Sequence, residues 1–145
     1  MFETLFLRGG DAFDISKENV FHFIVAVSKN MYRRNPYHNY QNLFETVQAA
    51  YALLVGVLHK FTPLERLAFF IAMSCRCLGH LGVTNQGLQK PVSTLCSVFP
   101  KPYMENMAFK ICLYILEGQN SILAKLGAAT NRKVRVWISK FRKFF

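Results

Sequence analysis

Residues 61–86 read FTPLERLAFFIAMSCRCLGHLGVTNQ, and this stretch decides the fold. Thr62 stands where a helix needs an N-cap, and Pro63 takes the first helical position. Glu65 lies three residues past the cap, where its carboxylate can reach back to the cap amide. The residues that follow, LERLAFFIAMSCRCL, are apolar almost all the way round. A helix with no polar face has to be covered by its neighbours. Gly79 and Gly82 end it. The pattern predicts a central helix inside a helical array.

Reading outward gives more helices. Ser16 is an N-cap, and Val20, Ile24, Val27 and Met31 recur at helical spacing until Pro36, which is expected to end that helix. Leu43, Val47, Ala50, Leu54 and Val57 or Leu58 form a second stripe. Downstream, residues 83–102 carry Gly87, Pro91, Pro100 and Pro102 and read as an irregular connection. A helix is expected over Tyr103–Glu117, a short one around Ser121–Leu126, and a last one from about Asn131 to Phe144. There is no alternation of strand type, no internal repeat and no low-complexity tract. The expected fold class is all-α, with residues 1–145 as one domain.

A chain of 145 residues can bury about two thirds of its unfolded surface. Its hydrophobic content of 52% argues against disorder. The net charge of +10 is uneven: residues 1–65 hold six Lys/Arg and six Asp/Glu, whereas residues 66–145 hold twelve and two. Such asymmetry points to a polyanionic partner: RNA, DNA or an anionic membrane surface. The start, MFETLFLRGGDAFDIS, has acidic residues and glycines where a signal peptide needs an apolar core. No apolar run approaches the ~18 residues of a membrane span. Cys75, Cys77, Cys96 and Cys112 are then expected to be reduced thiols in a cytoplasmic protein.

Four segments, in order, resemble the catalytic domain of class I cyclic-nucleotide phosphodiesterases. NMYRRNPYHNYQNLFETVQAAYALL (30–54) is similar to the family's Y-x-x-N-x-Y-H-N-x-x-H entry. Residues 61–86 are similar to its L-T-x-L-E … H-D-x-D-H-x-G-x-x-N stretch. YMENMAFKICLYIL (103–116) resembles its L-E-N-H-H helix, and residues 120–145 resemble the two helices that follow. The resemblance covers roughly residues 13–145 and implies a truncated phosphodiesterase-like helical domain of the HD type.

The resemblance also implies a mechanism against which each position can be read. In that family two metal ions, about 4 Å apart, hold a hydroxide that attacks the cyclic phosphate. The first histidine of H-N-x-x-H protonates the leaving oxygen; the second, the H-D pair and a later aspartate hold the metals. Here the acid position is His38, retained. The second histidine is Asn42, and the H-D pair is Arg76 and Cys77. Arginine stays protonated at any workable pH and repels a cation. The acidic position before the next histidine is Gly79, and ENHH has become Glu105, Asn106, Met107 and Ala108. The later aspartate is expected at or past the end of the sequence. His80, Gly82 and Asn85 are kept. Asn42, Arg76 and Cys77 are thus lost metal-ligand positions, His38 is vestigial, and no metal, cofactor or small-molecule substrate is expected.

Two other features bear on function. Cys75, Cys77 and His80 invite a zinc reading, with Cys77 and His80 on one helix face and Cys96 or Cys112 nearby; C-x-C-x-x-H is not a standard spacing, and core thiols are the expectation. Residues 131–145 read as a basic amphipathic helix, with Val134, Trp137, Ile138, Phe141, Phe144 and Phe145 on one side. Arg132, Lys133, Arg135, Lys140, Arg142 and Lys143 are the candidate polyanion contacts. The favoured expectation is a catalytically inactive scaffold or binding module on a polyanionic assembly such as the ribosome, with RNA read through phosphates and shape. A protein partner over exposed helices, or a membrane surface, is the other candidate for its contact. The alternative function is a residual or partner-completed phosphodiesterase with His38 as acid.

Overall fold

The computed structural model describes residues 13, 15–57, 60–89 and 94–141. Six α-helices lie among them: α1 (Lys17–Lys29), α2 (Tyr40–Val55), α3 (Pro63–Cys75), α4 (Leu95–Val98), α5 (Tyr103–Glu117) and α6 (Ala128–Phe141). A 3-10 turn spans Gly87–Gln89, and no strand occurs among the described residues. The all-α expectation therefore holds. None of the described helices is long and apolar enough to cross a membrane.

The local rules explain most boundaries. Ser16 Oγ accepts from Asn19 N at 3.2 Å and starts α1. That helix stops at Asn30, well before Pro36, because Asn30 closes its C-terminus: its N–H bonds Ala26 O and Val27 O, and its Nδ2 bonds Ala26 O at 2.8 Å. Asn39 Oδ1 accepts from Asn42 N at 3.0 Å at the start of α2. The capping box of α3 is formed as the sequence predicts: Glu65 N donates to Thr62 Oγ1 at 3.3 Å, and Thr62 N donates to Glu65 Oε2 at 2.8 Å.

Helix α3 is central. Leu67, Ala68, Phe70, Ile71, Ala72, Ser74 and Cys75 are buried on all its sides. α6 packs most extensively on it, and α2 and α5 cover the rest. Val134 and Ile138 of α6 are fully buried, as are Leu43 and Val47 of α2. Each such aliphatic side chain contributes about 1.5–3 kcal/mol by leaving water. The second apolar stripe is only partly described: the side chain of Leu54 and all of Leu58 lie outside the described residues. A smaller cluster of Leu88, Met104 and Met107, with Leu95 and Phe99 against it, packs the 3-10 turn and α4 onto α5.

Two further expectations fail. The short helix expected over Ser121–Leu126 is a run of turns, with Ala124 N bonded to Ser121 O and Leu126 N to Leu123 O. Ser121 Oγ accepts from Leu123 N at 3.0 Å, and Asn19 Nδ2 donates to Ser121 O at 2.7 Å, which draws the segment away from helix. As a result α6 begins at Ala128, earlier than Asn131. The apolar run CRCL also leaves the helix: α3 ends at Cys75, and residues 76–79 are turns closed by Gly79 at φ +65°. Cys77 and His80 therefore do not share a helix face.

Candidate functional site

The turns after α3 face the loop before α2, and the joint between them builds the site. Asn35, 8% exposed, is the bracket. Its Oδ1 accepts from Tyr37 N at 3.1 Å and His38 N at 2.9 Å, which shapes the approach to α2. Its Nδ2 donates to His80 O at 2.9 Å and ties that approach to the turn after α3. Gly79 N donates to Asn30 O at 2.9 Å, a second tie. Gly82, at φ +80°, lies against Asn35; a Cβ there would sit 3.3 Å from Asn35 Nδ2.

These ties bring His38 and His80 together, although 42 positions separate them. Their rings stack with centroids 3.5 Å apart and planes 25° apart. His38 Nδ1 meets Cys77 Sγ at 3.6 Å, and His80 Nδ1 accepts from Gly82 N at 3.1 Å. Burial lowers the His38 pKa, helped by the Arg76 charge. Burial pushes His80 down to about 4, with His38 and Arg76 adding to it and Glu105 opposing. Both rings are neutral at pH 7. Burial also pushes the Cys77 thiol up, against the pull of Arg76, so it stays protonated.

Across from the rings, α5 begins. Asn85 Nδ2 donates to both oxygens of Glu105, at 3.2 and 2.9 Å, and Asn85 Oδ1 accepts from Met104 N at 3.1 Å. Asn106 Nδ2 holds Pro100 O and Pro102 O at 2.9 and 2.8 Å. Between the two walls lies a cavity of about 270 Å³, lined by His38, Arg76, His80, Thr84, Asn85 and Glu105 among others. The structure thus brings together at one cavity His38, Arg76, His80, Asn85 and Glu105, which the resemblance had singled out only motif by motif. Asn35 and Thr84 were missed as site residues, although Asn-Pro before a helix is itself a turn signal.

The residues present do not fit a pair of divalent cations. The position expected to supply imidazole is Arg76, whose Nε is buried without a hydrogen-bond partner. Asn42 Oδ1 is likewise buried and unpartnered. Cys77 turns its thiol to His38. Among the described residues no three His, Cys, Asp or Glu side chains converge. The zinc reading finds no support in the same geometry. Cys75 and Cys112 are wholly buried in the core, and Cys96 donates to Leu88 O at 2.8 Å.

The candidate polyanion contacts divide. Arg132, Lys133 and Lys140 are exposed on α6. Lys140 Nζ stands 4.0 Å over the Trp137 ring. Arg135 is half-buried and works internally: its Nε donates to Asn131 Oδ1 at 2.8 Å, its Nη2 to Leu116 O at 3.0 Å, and Nη1 lies 3.7 Å from Glu117. Arg142 and Lys143, with Phe144 and Phe145, lie outside the described residues.

The profile of the 3'5'-cyclic nucleotide phosphodiesterase family matches residues 37–141. A probable 3',5'-cyclic phosphodiesterase of Caenorhabditis elegans is 31% identical over 92% of the chain and 18% of its own length. A dual 3',5'-cyclic-AMP and -GMP phosphodiesterase of Drosophila melanogaster is 33% identical over 81% of the chain and 8% of its own length. A cGMP-specific phosphodiesterase of Dictyostelium discoideum is 28% identical over 78% of the chain and 25% of its own length. The chain thus spans a quarter or less of these relatives. With the family profile matching residues 37–141, well over half of its length, the chain belongs to the 3'5'-cyclic nucleotide phosphodiesterase family.

Proposed function

We propose that this chain is a non-catalytic member of its family, a helical binding module that engages a polyanionic assembly such as an RNA or the ribosome. The observation that carries the first half is Arg76. It brings a permanent positive charge to the cavity where the family resemblance calls for a metal ligand, and its Nε is buried without a partner. Without metals nothing generates the hydroxide that His38, as an acid, would need as its counterpart.

The polyanion half rests on α6. Lys133, Val136 and Lys140 recur at i, i+3 and i+7 on its exposed side, with Arg132 beside them. No base-reading motif accompanies these cations, so phosphates and shape would be the contacts. The free thiols of Cys75, Cys77, Cys96 and Cys112 suit a reducing, cytoplasmic setting.

Two measurements test the proposal. Metal content of purified protein, by mass spectrometry, should be far below one ion per chain; stoichiometric metal would favour the partner-completed enzyme. RNA affinity measured against salt should weaken when Arg132, Lys133 and Lys140 are reversed to Glu, with the slope falling by about two for single-stranded RNA. Unchanged binding and slope would end the polyanion reading. Loss of salt dependence in an Arg135→Met variant alone would move the contact elsewhere.

A further inference from the structure

A hollow of about 380 Å³ lies against Asn35, between the α1–α2 connection and the turn after α3. Tyr32, Arg34, Asn35, Pro36, Leu81 and Gly82 line it, and none of them borders the cavity at His38 and Glu105. Its backbone is held by amide side chains. Asn35 N donates to Tyr32 O at 3.1 Å, Asn35 Nδ2 ties His80 O, and Asn39 Nδ2 donates to Asn35 O and Pro36 O at 3.1 and 3.2 Å. The side chains of Tyr32, Arg33, Arg34 and Tyr37 take no part in that hold, and all four are exposed. Tyr32 is 54% exposed and Tyr37 62%, although tyrosine rings ordinarily bury a large apolar area. Tyr37 is braced edge-on by His38, with ring centroids 5.0 Å apart. Residues 29–44 contain Lys29, Arg33, Arg34 and three tyrosines, and no acidic side chain. Neither Arg33 nor Arg34 has an ion pair among the described residues.

We propose that this surface binds single-stranded RNA, with an unpaired base entering the hollow against Tyr32 and the flanking phosphates on Arg33 and Arg34. The inference rests on the reading of RNA as the polyanionic partner, and it adds a site for bases to the phosphate contacts of α6. Exposed rings beside cations, with no acid between them, suit an unpaired nucleotide, which offers a π-face and a negative phosphate together. Paired bases keep their faces inside the helix, so a duplex brings phosphates here but no base for Tyr32. Arginine serves this better than lysine, because its planar guanidinium pairs with phosphate oxygens two at a time and also stacks. The connection is already fixed by Asn35 and Asn39, so binding has little backbone to order. The hollow is close to the ~300 Å³ at which ligand clefts begin, which suits one base rather than a folded partner. An anionic bilayer fits less well: an inserting surface is the continuous apolar face of a helix, and this one is a loop against a turn.

The test is fluorescence anisotropy of a short labelled RNA of mixed sequence, alone and annealed to its complement, titrated with the full chain at several salt concentrations. The single strand is expected to bind more tightly than the duplex. Tyr32→Ala should weaken the single strand about tenfold and leave the duplex unchanged, whereas Tyr32→Phe, which keeps the stacking face, should match the parent. Replacing Arg33 and Arg34 by Gln together should lower the salt slope by about one. All these side chains are exposed, so the variants fold. A Tyr32→Ala variant equal to the parent on the single strand, or equally weakened on both forms, would overturn the proposal. If reversal of Arg132, Lys133 and Lys140 weakens binding while the Tyr32 and Arg33/Arg34 variants do not, this site fails and the α6 contact stands. The opposite pattern supports this site and removes α6. No binding of either RNA form overturns both. Vesicles of phosphatidylcholine and phosphatidylserine are the third probe: binding to them that Tyr32→Ala abolishes, with no binding to the single strand, would make the surface a membrane contact and overturn the proposal.

Discussion

Asn35→Ala should be among the most damaging polar substitutions in this chain. Its side chain makes three hydrogen bonds, to Tyr37 N, His38 N and His80 O, from a site only 8% exposed. Each bond is worth about 1 kcal/mol net, and more where the abandoned partner stays dry. Their sum is about 3 kcal/mol. For a domain of this size about 2–4 °C of melting temperature is lost per kcal/mol, so a fall of about 6–12 °C is expected. Asn35→Asp keeps the Oδ1 acceptor and loses the donor to His80 O, so it should cost about a third as much. Urea denaturation followed by circular dichroism gives the free energies, and the imidazole proton shifts of His38 and His80 report whether the stack opens. A loss below about 1 kcal/mol with both histidine signals unmoved would refute the bracket role of Asn35.

Three other outcomes are expected. Gly79→Ala places a Cβ 2.7 Å from Ile111 Cδ1 at φ +65°; left-handed strain and the close contact should together cost about 2 kcal/mol, and a neutral effect in thermal melts would contradict the turn geometry. Ile138→Ala removes a fully buried side chain between α6 and the core and should cost about 3 kcal/mol, whereas Val136→Ala, 50% exposed, should cost almost nothing; equal effects would mean α6 is packed differently. Stability should be full above about pH 6.5 and fall towards pH 4, because the unfolded chain protonates His80 near 6.5 while the folded chain resists until about 4. A wholly buried ring would lose about 3 kcal/mol over that window, but solvent reaches this one, so about 1 kcal/mol is expected. The loss should shrink in His80→Gln, and an identical pH profile in that variant would show that His80 is not depressed.

Much of this architecture was legible from local chemistry. The cap at Thr62, the all-round apolar run after it and the stripe from Val20 to Met31 each fix a helix through contacts within a few residues. What escaped the sequence depends on partners far along the chain. Ser121 takes part in turns because Asn19, 102 positions away, holds its carbonyl. The first helix ends on its own Asn30, where a proline looked the stronger signal. Arg135 sits among exposed cations in sequence, yet Leu116 O and Glu117 draw it inward. In the site, the resemblance singled out Arg76 and Asn42 one position at a time, but the stacking of His38 on His80 could not be read. No spacing rule joins residues on two separate loops.

A family member with Arg76 in this cavity and Cys77 buried behind His38 is proposed not to turn over cyclic nucleotides. The most direct measurement is hydrolysis of cAMP and cGMP by the purified chain, in EDTA and with Mg²⁺, Mn²⁺ or Zn²⁺, beside a His38→Ala control. No metal-dependent product above the His38→Ala background is the predicted result. Metal-dependent turnover that disappears in His38→Ala would contradict the claim.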